Sequence, residues 1–214
     1  MPPQPATLRV RGTAHAETDA DFAVLSIAIA HESPTADEAV RRAGATADDV
    51  RRALDGEDVR RSAMSSLVTS RTYRWEERTG EQVASGWQAR VSGTAEVHAR
   101  HVSNVAARVG GAGAQLGGIR WELETDNPIH REVRRSAVAA AYRAAEDFAD
   151  ALDRALGSLR ALADPGLLAA DQGMVMMAAP MMAEGKMRAG GPPTVDLDPP
   201  QITVTATVEA TFEV

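Results

Sequence analysis

The final segment of the chain, Gln201 to Val214, alternates without a break between apolar and polar side chains. A period of two is the pattern of a β-strand with one buried face and one solvent face. Such a strand needs antiparallel neighbours and a layer of other residues packed on its apolar side. The apolar members are Ile202, Val204, Ala206, Val208, Ala210, Phe212 and Val214.

A long helix is predicted after Asn127, which is a good N-cap residue and is followed by Pro128. Apolar residues recur there at spacings of three and four until Gly157, and most of them are alanine. We therefore expect this helix to pack closely on a sheet and to cover the apolar face of the closing strand. The predicted stripe is Ile129, Val133, Ala137, Ala140, Ala141, Ala144, Phe148, Ala151, Leu152 and Ala155.

Earlier segments add further strands and a second amphipathic helix. Asp21 to His31 is apolar at nearly every position, which favours a central strand. Thr35 and Glu38 fit a capping box, and the stripe that follows predicts a helix ending near Gly56. That stripe consists of Ala36, Ala39, Val40, Ala43, Ala47, Val50 and Leu54.

A hairpin and several short elements complete the prediction. Met64 to Glu76 and Gly86 to His98 are predicted to form the hairpin, because a short Gly-containing segment joins them. The short elements are a helix over His101 to Val109 and strands over Leu116 to Glu124 and Leu159 to Ala163.

The predicted fold class is α+β, with a mainly antiparallel sheet packed by helices, in a single domain over residues 1–214. Strand, helix, strand and strand follow one another twice, over residues 21–98 and 116–214. Two related halves are therefore a hypothesis.

Composition excludes several classes of function. The chain of 214 residues has no cysteine, so disulfides and thiolate chemistry are ruled out. Its net charge of −7 argues against a general nucleic-acid-binding protein. The longest apolar run, Phe22 to Ala30, is too short to span a bilayer, and the N-terminal residues lack a signal-peptide pattern. We expect a soluble cytoplasmic protein without integral membrane association.

No motif assigns a catalytic, cofactor-binding or metal-binding residue. The glycines from Gly111 to Gly117 resemble a dinucleotide loop, but they lie between a helix and a strand, the reverse of the order that phosphate binding needs. His98 and His101, with Glu96, have metal-ligand chemistry, but His98 falls on the solvent face of its strand. We expect no enzyme activity, no cofactor and no bound metal.

Residues 165–200 are rich in Met, Pro, Gly and Ala and have no clean period, which predicts a long excursion or mobile loop. Thioethers are soft ligands for Cu(I), but flexible apolar filling of an interface fits these methionines better. We expect contacts with a second subunit there and near Pro199 to Ile202. The methionines are Met174, Met176, Met177, Met181, Met182 and Met187.

Arg131, Arg134 and Arg135 stand in the first turns of the long helix, where the helix dipole disfavours cations. Two interpretations stay open for them. They could form an anion-binding site beside the helix, or they could pair with acidic side chains on the surface.

Several segments together resemble one known family over nearly the whole chain. Leu8-Arg-Val-Arg-Gly-Thr-Ala resembles its first strand, and Asp21-Phe-Ala-Val-Leu-Ser-Ile its second. Ser33 to Val40 resembles its first helix, and Gly86-Trp-Gln-Ala-Arg-Val-Ser resembles a strand that usually begins Gly-Tyr. Gly117-Gly-Ile-Arg-Trp-Glu-Leu, the Ala-rich helix and the Met-rich loop resemble the second half. The family is the SIMPL-domain family, the bacterial YggE-like proteins formerly classed as a domain of unknown function.

This resemblance implies an α+β fold, a tendency to form homo-oligomers and links to envelope and oxidative-stress physiology. It carries no catalytic residue. The leading expectation is a non-enzymatic oligomeric scaffold or binding protein. The alternative is a small-molecule or anion-binding protein that uses a cleft beside the long helix.

Overall fold

The computed structural model describes residues 6–78, 80–167 and 197–214. The predicted methionines lie outside these ranges. The strands are β1 (Thr7–Asp19), β2 (Phe22–Ser33), β3 (Val59–Glu76), β4 (Glu81–His98), β5 (Gln115–Glu122), β6 (Leu159–Ala163) and β7 (Gln201–Glu213). The helices are α1 (Ala36–Ala53), α2 (Val102–Gly111) and α3 (Pro128–Ala151), and a short 3-10 helix (Ala99–His101) precedes α2.

The described residues divide into two compact units. Residues 19–124 and 197–200 form one unit, which contains a four-stranded sheet in the order β3-β4-β2-β5. Strand β2 is central, as predicted, because it pairs antiparallel with β4 on one side and β5 on the other. Leu25, for example, lies opposite Ala95 of β4 and Ile119 of β5. We call this the four-stranded unit.

The helices α1 and α2 pack on one face of this sheet and enclose its core. The predicted cap of α1 is confirmed, because the Thr35 hydroxyl accepts a hydrogen bond from the Glu38 N–H at 3.4 Å. The side chains of β4 alternate between the two faces of the sheet, with Ala89, Val91, Ala95 and Val97 buried. Most of the predicted α1 stripe is also buried, at Ala39, Ala43, Ala47, Val50 and Leu54.

Residues 6–18, 125–167 and 201–214 form the second unit, with a three-stranded sheet in the order β1-β7-β6. Its register places Arg11 beside Glu209 and Thr13 beside Thr207, so β1 and β7 are antiparallel. The apolar face of β7 is confirmed, and it packs on α3 as predicted. Phe212 is fully buried there, with its ring centroid 4.9 Å from that of Tyr142. We call this the three-stranded unit.

The helix α3 differs from its prediction in which side chains face the sheet. Its buried residues are separated by four positions throughout: Val133, Ala137, Ala141, Ala145 and Ala149. Phe148 and Leu152, predicted to be buried, are 56% and 58% exposed. The reason is a close approach at Gly12 of β1, where an added Cβ would collide with the Ala137 carbonyl oxygen and the Ala141 backbone nitrogen. A surface this near the helix backbone admits only small side chains.

The helix α3 also ends earlier than predicted. The stripe was expected to continue to Ala155, but the last helical residue is Ala151. Asp153 adopts φ 52°, a left-handed conformation that cannot continue an α-helix.

The predicted order of strand, helix, strand and strand does occur twice, but the sheets divide it differently. In the second half, β5 pairs with β2 in the four-stranded unit, whereas β6 and β7 join β1 in the three-stranded unit. The two halves therefore do not form equivalent sheets.

Within the described ranges, no helix is long and apolar enough to cross a membrane.

Candidate functional site

A groove runs between α1 and β3 in the four-stranded unit. The helix α1 lies over β2 and β4, and it leaves part of the inner face of the edge strand β3 uncovered. The resulting cavity has a volume of about 350 Å³. Its lining residues are Val40, Gly44, Ala47, Asp48, Arg51, Met64, Ser65, Ser66, Leu67 and Val91.

The groove has an apolar floor and a polar rim. Arg51 donates to Asp48 at 2.5 Å on the helix side, so the two charges neutralise each other. On the strand side, Ser65 and Ser66 of β3 line the groove. Gly44 leaves the middle of the helix side open, because a Cβ added there would meet no atom within 4 Å. This arrangement suits an apolar group with a polar end.

The hairpin of β3 and β4 extends past the end of the sheet. Ser33, the last residue of β2, lies opposite Trp87 of β4, and Trp87 lies opposite Arg71 of β3. Beyond this point β3 and β4 continue as a two-stranded ribbon, with Trp75 still opposite Gln82. We call residues 71–86 the arm.

Two large aromatic side chains of the arm are exposed to water. Tyr73 is 58% exposed and Trp75 is 63% exposed. Both lie on the face of the ribbon that carries Arg71, whose guanidinium sits over the Trp87 ring at 5.0 Å from its centroid. The chain contains only three Trp and two Tyr, so this exposure is an unusual use of its large aromatics.

The carboxyl group of Glu209, in the three-stranded unit, has a clearly shifted pKa. A hydrogen bond from Arg11 at 2.8 Å holds the pKa of Glu209 below its ordinary value. The other carboxylate oxygen of Glu209 accepts from the Gly166 N–H at 3.4 Å, which also lowers that pKa. The Glu209 side chain is only 13% exposed. Glu209 thus ties β1 to the turn that follows β6.

The predicted arginines lie together on one helix but contact no acidic group of the described residues. Arg131, Arg134 and Arg135 are all exposed on α3. Among the described residues none of them makes an ion pair. The cavity described above lies beside α1, in the other unit, and does not include them.

The histidines and glycines singled out in the sequence do not form a site. His101 accepts a hydrogen bond from Arg100 at 2.9 Å, and no group of three or more acidic or histidine side chains could hold a metal ion within the described ranges. Gly113, with φ 89°, turns the chain from α2 into β5. The order of helix, loop and strand is therefore as predicted.

Sequence reasoning missed both the groove and the arm. One signal for the arm was present, since the predicted strand Met64 to Glu76 is longer than the predicted strand Asp21 to His31. Tyr73 and Trp75 also alternate with Arg74 as on a two-faced strand. The groove had no such signal, because it depends on where α1 lies across the sheet.

The fold and these surfaces define an α+β protein with two antiparallel sheets, one packed by α1 and α2 and the other by α3. The chain matches the family model SIMPL, described as a protein of unknown function (DUF541), over residues 8–212. The protein therefore belongs to the SIMPL family, as the resemblance implied. A comparison with curated proteins gives no significant match.

Proposed function

We propose that this protein is a non-enzymatic scaffold or binding protein that works as a homo-oligomer. The observation that carries the proposal is the edge strand β3. It is 18 residues long, none of its residues is buried, and its described neighbour in the sheet is β4 alone. The free edge of such a strand presents backbone N–H and C=O groups that can pair with another chain.

Exposed apolar side chains on the same strand support this proposal. Leu67, Val68, Tyr73 and Trp75 are each more than half exposed. Soluble proteins seldom leave a run of large apolar groups in water unless it meets a partner, and aromatic residues are enriched in interfaces. A homo-oligomer would bury both the edge and these side chains.

The non-enzymatic part of the proposal is supported by where the perturbed pKa falls. Catalytic groups usually have shifted pKa values and lie in a cleft. The pKa of Glu209 is lowered by Arg11 and by the Gly166 N–H, which lie within one sheet and its adjoining turn, and Glu209 is not among the residues that line the groove.

The test is the mass of the full-length chain in solution, measured by light scattering after size-exclusion chromatography over a wide concentration range. We expect a mass of at least twice the 22.7 kDa of one chain. A particle that stays monomeric at the highest concentration would refute the oligomeric proposal.

The proposal includes a role in envelope or oxidative-stress physiology, which family membership supports. A strain that lacks the protein should be more sensitive to peroxide than its parent, and the wild-type gene should restore resistance. Equal survival of both strains would remove this part of the proposal.

A second candidate function is favoured by the groove. Its volume of about 350 Å³ falls within the usual range of small-molecule pockets, and it combines an apolar floor with a few polar groups. Filling it with Gly44→Leu should leave the fold intact because Gly44 faces open space.

The probe for this second function is 1-anilinonaphthalene-8-sulfonate, which joins an apolar ring system to an anion. We expect Gly44→Leu to lower dye fluorescence, whereas Gly110→Leu, also at an open helical position but away from the groove, should leave it unchanged. Equal fluorescence of all three proteins would exclude the groove as the binding site.

A further inference from the structure

The arm is a two-stranded ribbon that the four-stranded sheet does not support. Strand β2 ends at Ser33, and the arm continues to the Glu76 and Glu81 pair without a third strand among the described residues. An isolated two-stranded hairpin is marginally stable in water, so such a ribbon gains most from a further strand beside it.

The charges of the arm favour a second copy of the same chain as its partner. The whole chain has a net charge of −7, so two copies repel each other over most of their surfaces. The arm is different, because its three arginines balance its three glutamates, and both signs occur along it. These residues are Arg71, Arg74, Arg78, Glu76, Glu77 and Glu81. A neutral segment with mixed signs can lie against a second copy of itself without net repulsion.

The register of that contact is set by the position of the twofold axis along the strand. In an antiparallel pair, residues directly opposite each other lie on the same face of the sheet, and a twofold axis makes every contact reciprocal. An axis passing beside Trp75 places that residue next to Trp75 of the second copy. The same axis sets Arg74 opposite Glu76 of the second copy, and this pair occurs twice.

This inference rests on the proposed oligomeric function and deepens it. We infer that the arm is the self-association surface of the protein. Two copies pair their β3 strands antiparallel, edge to edge, around Trp75. The two Arg74–Glu76 pairs set the register, and the exposed Tyr73 and Trp75 side chains become covered. The two four-stranded sheets then continue across the contact.

The experiment is sedimentation velocity on the full-length chain and four arm variants. Arg74→Glu and Glu76→Arg each place like charges opposite each other twice. Each should weaken association by about tenfold or more, because two favourable cross-strand pairs become two repulsive ones. The double variant Arg74→Glu with Glu76→Arg exchanges the signs and should restore wild-type association. Tyr73→Ser with Trp75→Ser should abolish it.

The matched controls lie on α3, at an exposed arginine and an exposed aromatic residue of the three-stranded unit. Arg143→Glu and Phe148→Ser should associate like the wild type. Far-ultraviolet circular dichroism and the melting temperature of each variant report the fold separately from association, because the changed side chains are largely exposed.

The outcomes separate this inference from the proposed function. A wild-type oligomer whose mass is unchanged by every arm variant overturns the arm as the interface and leaves the oligomeric function standing. If both single charge variants weaken association and the double variant does not restore it, the Arg74–Glu76 register is wrong. A wild-type monomer at all concentrations overturns both proposals.

Discussion

Replacing Gly12 by alanine tests the closest packing in the three-stranded unit. A Cβ at this position would collide with the Ala137 carbonyl oxygen and the Ala141 backbone nitrogen, and it would lie 2.8 Å from the Ala141 Cβ. Favourable contacts between carbon atoms lie at about 3.5–4.0 Å. The strand β1 and the helix α3 must therefore separate by several tenths of an ångström or more.

The expected cost is at the upper end of the range for overpacking, about 3 kcal/mol, because two of the three obstructing atoms belong to the helix backbone and cannot rotate away. For a chain of this length that loss lowers the melting temperature by about 6–12 °C. The measurements are urea denaturation and thermal melting followed by far-ultraviolet circular dichroism.

The matched control is Gly44→Ala, which adds the same methyl group to open space in the interior of a helix. It should stabilise the protein by about 0.5–1 kcal/mol, since alanine restricts the unfolded chain and favours the helix. A loss below about 0.5 kcal/mol for Gly12→Ala would show that β1 and α3 are not in close contact, contrary to this account. Adding Ala141→Gly to the Gly12→Ala variant should recover little, because the backbone obstacles remain.

Three further predictions concern the three-stranded unit. Phe212→Ala should destabilise the protein by about 3–5 kcal/mol in urea denaturation, because Phe212 is fully buried against Tyr142, and a loss below 1 kcal/mol would contradict that packing. Glu209→Gln should remove about 0.5–1 kcal/mol near neutral pH, since Arg11 is 64% exposed and solvent weakens the pair. Because folding lowers the pKa of Glu209, the wild-type advantage exists above the unfolded-state pKa and is lost as the pH falls through the folded-state pKa. An advantage that does not decrease as the pH is lowered would refute this origin. If the α3 arginines bind anions, inorganic phosphate should raise the melting temperature of the wild type but not of Arg134→Ala, whereas no shift in the wild type would exclude the site.

Much of the fold could be predicted because secondary structure follows the local periodicity of apolar and polar side chains. The period of two in β7 and the capping box at Thr35 each predicted an element that the structure confirms. The Ala-rich content of α3 also predicted close packing on a sheet. The prediction for Phe148 was wrong because alanines at spacings of three and four allow two neighbouring faces of the helix to be the buried one. The close approach of Gly12 of β1 to the backbone of α3 determines which face is buried.

The candidate site was far less accessible to sequence reasoning. The groove exists because α1 crosses β2 and β4 and leaves β3 open, and helix placement depends on packing between segments far apart in the chain. Glu209 and Arg11 are separated by 198 positions, so no spacing rule could bring them together. The histidine and glycine motifs were local patterns, and the structure accounts for them as a hydrogen bond to Arg100 and a turn before β5.

The closing strand β7 has both kinds of feature, those that local sequence predicts and those that it does not. Side-chain alternation is a property of consecutive residues, so it was enough to predict that β7 is a two-faced strand and that an Ala-rich helix suits its apolar face. The fold adds that β1 and β6 flank this strand and that β5 joins the other sheet. It adds also that β3 and β4 continue past Ser33 into water. Strand order and overhang depend on which distant segments pair, and that choice is made by the energy of the whole packed unit rather than by any one segment.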